Sequence, residues 1–413
     1  MEAVTDASTD TRNQPYGDYR DAAAAVASHV SRGKVRALEA LGVEIVVGER
    51  EGPRFRDAYS GRWFWNCHNN GGVFNLGHRH PRVVGAVREA LDHLDVGNHH
   101  LVSGWRARLA EQLAASTGGQ LPFAVFSPSG SEAVDLALRL ARGRTGRQEV
   151  VCTIGGYHGL AGLALAASDP RWHEPFGPPP PGFIHIPFND LDAMRGAIGA
   201  DTAAVIVEAI PATLGFPIPD TGYLREAAAA ARERGAVFIL DEVQTGLGRT
   251  GTTWYFEQED VVPDVLITGK ALGGGVYPVS AALLTEDLET FFDDNPFAYV
   301  STFGGAEIGC VAASAVMEEI SRPGFLDRVR ELGERFETGF ADLPFELRRR
   351  GLTMGLKFDG EQDGVLAAGR LIEAGVFAVY AEHDHSVTQF KPPLIVSDDE
   401  ANEIVDSVRE ALS

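Results

Sequence analysis

Four short runs constrain this chain more than anything else in it: 149–154 (EVVCTI), 203–210 (AAVIVEAI), 236–242 (AVFILDE) and 264–270 (DVLITGK). Each is almost wholly apolar, rich in Val and Ile, and bounded by turn or helix signals. Strands buried on both faces read this way, and strands alternating with helices build parallel βαβ units. A fifth run, FAVF (123–126), leads directly into SEAVDLALRLARGR, a helical pattern. Helical patterns also cover 81–91 and 105–117, the second with Leu109 and Leu113 as apolar positions. The expected fold class is therefore α/β with a mostly parallel sheet.

The flanks read differently. Residues 1–18 are small and polar without periodicity, and are expected to be disordered. The Ala-rich stretch 19–40 predicts a helix, and 43–47 (VEIVV) and 62–66 (RWFWN) predict short strands. The Pro-rich FGPPPPG (176–182) predicts a stiff loop, not a domain boundary, because strand–helix alternation resumes after it. Beyond about 310 helical patterns dominate, ending in a strand-like VTQFKPPLIV and a last helix. Ser397 is the expected N-cap of that helix, with acids in its first turn. A chain of 413 residues suits one large domain and one smaller one.

Charge narrows the partners. With 36 Lys and Arg against 58 Asp and Glu, the net charge is −22, so no basic footprint for nucleic acid exists and an anionic membrane repels the surface. No run reaches the roughly 18 apolar residues of a membrane span. The start is polar and acidic, unlike a signal peptide. Cys67, Cys152 and Cys310 are far apart, so neither a disulfide framework nor a zinc site is expected, and the expected location is the reduced cytoplasm. His383 and His385 have no third ligand in reach, and no metal is expected.

Four features carry chemistry. Lys270 closes an apolar run and precedes Gly-rich sequence, at the strand end where open α/β sheets bind ligands. Burial lowers a lysine's pKa and makes it a nucleophile toward an aldehyde. A surface lysine opening a loop reads the same way. Asp241, in LDE, suits a cationic ligand group, and a helix cap or metal pair reads equally well. Gly130 and Ser131 stand between FAVF and a helix that Glu132 is expected to begin, so they suit an anion such as phosphate, or a simple N-cap. Tyr157 in GGYHG suits stacking on a flat ring, or a packed turn.

In type, order and spacing these motifs resemble the class III aminotransferases, from NLGHRHP (75–81) to KPPL (391–394), with LDEVQTGLGRTG (240–251) and TGKALGGG the most specific stretch. The resemblance implies fold type I: a large domain over 75–305 carrying a mostly parallel seven-stranded sheet, and a small α+β domain from 19–74 and 306–413. It implies pyridoxal 5'-phosphate, with Lys270 joined to the aldehyde and shuttling the substrate proton. Asp241 then pairs with the pyridinium nitrogen, Gln244 with the phenolic oxygen, Tyr157 stacks beside His158, and Glu208 lies near Asp241. SGSEA is similar to the phosphate loop. STFGG (301–305) is similar to a segment crossing a homodimer interface, where Thr302 reaches the neighbour's phosphate. The implied reaction is transamination between an amine or amino acid and a keto or aldehyde acceptor.

Two departures bear on substrate. Ornithine-type members carry an arginine where Gln389 stands, and a glutamate where Thr213 stands. Losing both leaves a neutral pocket, with Lys391 two residues on as a point charge. Asn70, with Asn69 in NNGG, is a candidate substrate contact or plain turn chemistry. His99 and His100 are expected to cap or pack. The missing switch keeps an epimerase or aminomutase on the same scaffold as the alternative, whereas a non-catalytic scaffold lacks any supporting basic extension.

Overall fold

The structure is a computed structural model and describes residues 14–413, so most of the expected disordered tail lies outside the described residues. Within 14–18, Asp18 caps the first helix by accepting the Asp21 N–H.

A seven-stranded sheet forms the centre. Its strands stand in the spatial order Phe123–Ser127, Ser280–Leu284, Val265–Thr268, Val237–Asp241, Thr202–Glu208, Glu149–Thr153 and Phe183–Ile186. Only Ser280–Leu284 runs antiparallel to its neighbours. It returns from Val265–Thr268 through a short loop with no crossover helix, which forces that direction. Successive residues of one strand feed opposite faces: Val205 and Val207 join one apolar core, Ala204 and Ile206 the other. The helix Gly130–Thr145 covers the second face, and the helices Gly104–Ser116, Tyr223–Glu233 and Glu307–Ile320 cover the first. The Pro-rich loop leads straight into Phe183–Ile186, the sheet's edge.

A separate core gathers residues 65–67 with residues 329–412. Around it lie two small sheets, one of Val47–Glu51, Arg54–Asp57, Trp63–Asn66 and Val376–Phe377, the other of Glu346–Arg350, Thr353–Lys357, Val387–Phe390 and Val379–Tyr380. The helix Glu307–Ile320 packs instead with the large sheet's core.

Several local expectations are corrected. The helix over 19–40 is two helices, Tyr19–His29 and Arg32–Ala40, because the Ser31 side chain caps a new start by accepting the Lys34 N–H. The strand expected at 43–47 begins only at Val47. The helix expected to begin at Glu132 begins at Gly130, with Ser129 as its cap. The last strand stops at Phe390, just before Lys391, Pro392 and Pro393. The final helix, Asp398–Leu412, has Ser397 as N-cap in a capping box with Glu400.

One buried cation ties these units. Arg249 is fully buried and has no ion pair among the described residues. Its guanidinium donates to Asn75 Oδ1 (2.6 and 3.1 Å), the Leu352 carbonyl (3.1 Å) and the Pro392 carbonyl (2.6 Å). Burial holds its pKa down at about 9. Arg249→Leu strands three buried acceptors and is expected to destabilise the apo protein by about 3–5 kcal/mol in urea denaturation. A loss under about 1 kcal/mol would mean that water or a neighbouring donor replaces it.

Candidate active site

The carboxyl ends of the parallel strands assemble the site. Residues Glu208 and Asp241 are direct neighbours in the sheet register, and both are buried. Asp241 Oδ2 lies 2.8 Å from Nδ1 of His158, and its Oδ1 accepts the Val243 N–H at 3.0 Å. Burial alone lowers the His158 pKa, but the hydrogen bond and charge of Asp241, helped by Glu208, outweigh it and hold the imidazole above its ordinary value. His158 Nε2 is buried with no partner among the described residues. Glu208 Oε2 accepts the Tyr157 N–H at 2.9 Å, and burial pushes its carboxyl up to about 7. The second acid of the LDE pair does other work: Glu242 accepts the N–H groups of Tyr255 (2.6 Å) and Phe256 (2.9 Å), which fixes the following loop.

Lys270 follows the strand Val265–Thr268 by two residues rather than ending it. It opens a 3-10 turn with φ of 44°, the left-handed region, a strain of order 1–3 kcal/mol that clusters at functional sites. Gly71 passes close by: a Cβ there would sit 3.3 Å from Lys270 Cε. Burial lowers the Lys270 pKa, while Asp241 and Glu208 pull it back up. The net result is a pKa below that of an exposed lysine, so the charged form is less favoured here.

Gly130, Ser131, Tyr157, His158, Glu208, Asp241, Gln244 and Lys270 line one cavity of about 210 Å³. The sequence places all eight there. Gly130 and Ser131 are the first two residues of their helix, so their N–H groups have no partner within it. The Tyr157 ring meets Trp172 edge-on at 5.3 Å. An adjoining cavity of about 370 Å³ shares Gly130 and Lys270, and Asn70 lines it. Asn70 has φ of 48°, so the NNGG turn chemistry and the place beside Lys270 coexist.

Three sequence-derived candidates stand elsewhere. Thr302 is exposed and lines neither cavity. Gln389 and Lys391, expected as substrate contacts, are both buried, and their polar atoms bond within the chain. Gln389 Nε2 donates to the Tyr380 carbonyl at 3.0 Å, and Lys391 Nζ donates to Gln389 Oε1 at 2.5 Å and Gln244 Oε1 at 3.2 Å. Thr213 spends its hydroxyl on the Gly155 carbonyl (2.7 Å). His99 and His100 stand in the loop before the helix Gly104–Ser116 and line neither cavity.

Sequence reading missed Ser129 and Val243. Ser129-x-x-Glu132 is a readable capping signal. Val243 packs against Gly130, where a Cβ would touch its Cγ2 at 3.3 Å, and it lines the cavity with Tyr157. An apolar residue beside two acids gave no chemical cue.

Fold and site define a fold type I enzyme of the aminotransferase class. The family model for class III aminotransferases matches residues 35–412. A protein of Archaeoglobus fulgidus described as an aminotransferase is 48% identical over 94% of this chain and 92% of its own. The ornithine aminotransferase of Toxoplasma gondii ME49 superposes with a TM-score of 0.87 at 25% identity, over 96% of this chain and 95% of that one. An acetylornithine aminotransferase from Elizabethkingia anophelis gives 0.78 at 25% identity, over 92% and 98%. This chain belongs to the class III aminotransferases. Its activity is pyridoxal-phosphate-dependent transamination between an amine or amino acid and a keto or aldehyde acceptor.

The raised Glu208 pKa sets a pH dependence. Its contribution to stability is fully present below the unfolded value near 4.5 and is lost as pH rises through about 7. The apo wild type should therefore lose stability relative to Glu208→Gln across that window, by roughly 3 kcal/mol in all. A difference in melting temperature that stays flat from pH 4.5 to 7 would show Glu208 ionised throughout.

Proposed function

We propose that Lys270 holds pyridoxal phosphate covalently, and that two copies of this chain complete each other's sites. The observation that carries the first part is a buried amine sharing one cavity with the Asp241–His158 pair. The residues fit the group. Unpaired N–H groups at Gly130 and Ser131, with the Ser131 hydroxyl, suit its phosphate. The Asp241 carboxylate suits a protonated ring nitrogen. The Tyr157 ring and Val243 supply flat and apolar walls. When bound, the cofactor supplies an electron sink for the substrate's Cα carbanion.

The chain's residues do the rest. Lys270 would hold the cofactor through its side-chain amine and, once freed by the incoming substrate amine, would carry the proton to and from the substrate carbon. His158 holds one oxygen of Asp241 and the Val243 N–H holds the other, which fixes the orientation of the carboxyl group at the cavity. Glu208 fixes the Tyr157 backbone beside Asp241. Asn70, on the open side of Lys270, faces the substrate.

The second copy is supported by one apolar surface. Leu101 and Val102 are exposed in one loop, and Phe297, Val300 and Phe303 in another. The two loops touch through His100 and Phe297, whose ring centroids lie 6.2 Å apart. Exposed patches of this kind mark interfaces, and Thr302 lies within it.

Lys270→Ala should lower turnover at least about ten-thousand-fold. Given an amine donor alone, wild type should lose its visible absorbance and release one oxo product per site. Retained colour with deuterium exchange at the donor's α-carbon would instead mean an epimerase. Mixing Lys270→Ala with Thr302→Val subunits should restore activity, because one site in each mixed dimer is intact. Absence of rescue after subunit exchange would exclude a shared site.

A further inference from the structure

We propose that Lys391 is a positioning residue that fixes which end of the Gln244 side-chain amide faces the cofactor; this rests on the cofactor reading above. Lys391 is wholly buried at the end of the strand Val387–Phe390. It has no ion pair among the described residues, and its Nζ sits 5.1 Å from the centre of the Phe216 ring. Its hydrogen-bond partners are two amide oxygens, Gln389 Oε1 and Gln244 Oε1.

A glutamine amide has an acceptor end and a donor end of nearly the same shape. An ammonium group only donates, so it accepts just one orientation of each amide it meets. Gln389 shows the rule independently, since its Nε2 donates to the Tyr380 carbonyl and must leave its oxygen toward Lys391. By the same logic the Gln244 oxygen is taken, and its NH2 group is turned away. Nε2 lies toward Gly71 and Lys270: a Cβ on Gly71 would be 3.9 Å from Nε2 and 3.3 Å from Lys270 Cε. No acceptor among the described residues takes this NH2 group. The site therefore presents a donor of fixed polarity, suited to an oxygen that carries negative charge.

Burial, with Lys270 and Arg249 adding to it, lowers the Lys391 pKa well below its ordinary value. The fixed polarity belongs to the charged form: losing that proton would leave two N–H bonds for the two oxygens but add a lone pair able to accept. Lys391 thus acts through Gln244 and not on the substrate.

The test follows the pH at which the visible absorption of the bound cofactor changes. Losing a donor to the phenolic oxygen makes the proton it shares harder to remove, so the midpoint rises. Gln244→Leu should raise it by about one unit, and Lys391→Met by a sizeable part of that. The double variant should match Gln244→Leu alone, since one residue works through the other. Lys391→Arg, still purely a donor, should keep the wild-type midpoint. If Lys391→Met does not accumulate, Lys391→Gln keeps a polar group at the buried position but loses the fixed polarity, and should shift the midpoint in the same direction. An unchanged midpoint in Lys391→Met or Lys391→Gln, or a shift that adds in full to that of Gln244→Leu, overturns the proposal. A wild type without any bound chromophore overturns the cofactor reading instead.

Discussion

A guanidinium with no carboxylate beside it holds the active site together. Arg249 spends its donors on Asn75, Leu352 and Pro392, one from the loop before the first large-domain helix and two from the carboxyl-terminal part of the chain. Neutral oxygens satisfy its hydrogen bonds without cancelling its charge. The price is a buried cation, held only because every alternative leaves three acceptors stranded. In return the Asn70–Gly72 turn, the strand leading to Lys391 and the loop bearing Gln244 keep one relative position.

Around that anchor the site balances charge in small steps. Buried Lys270 feels both Asp241 and Glu208, buried Lys391 feels Glu208, and neither makes a close ion pair among the described residues. Lys270, Lys391 and Glu208 are left with shifted pKa values instead of an ion-pair partner. In the role proposed for Lys270, a direct salt bridge to Asp241 would pin it as an ammonium and remove the base. His158 takes that position on Asp241 and leaves Lys270 free.

Much of this was legible in residue order. The four apolar runs became the centre of the sheet because strands buried on both faces carry no alternation to misread. Asp241, Glu208 and Lys270 were findable as polar residues where such runs end. The small sheets were not. Arg54–Asp57 (RFRD) and Glu346–Arg350 (ELRRR) carry charge on alternate or successive residues, and the second is a sheet edge, where polar faces meet solvent. The partners of Gln389 and Lys391 were not legible for a related reason. Spacing puts both on one face, but it does not show that each already has a partner, which is decided by Tyr380 and Gln244, nine and 147 residues away.

The strand order also has a temporal side. Phe123–Ser127 leads into the helix whose first two residues line the cavity, yet its only neighbour in the sheet among the described residues is Ser280–Leu284. On a ribosome, that strand waits for more than half of the remaining chain to emerge before it can pair. Until then its apolar edge and the helix behind it lack their seat, which makes this the segment where a nascent chain most needs shelter from other nascent chains.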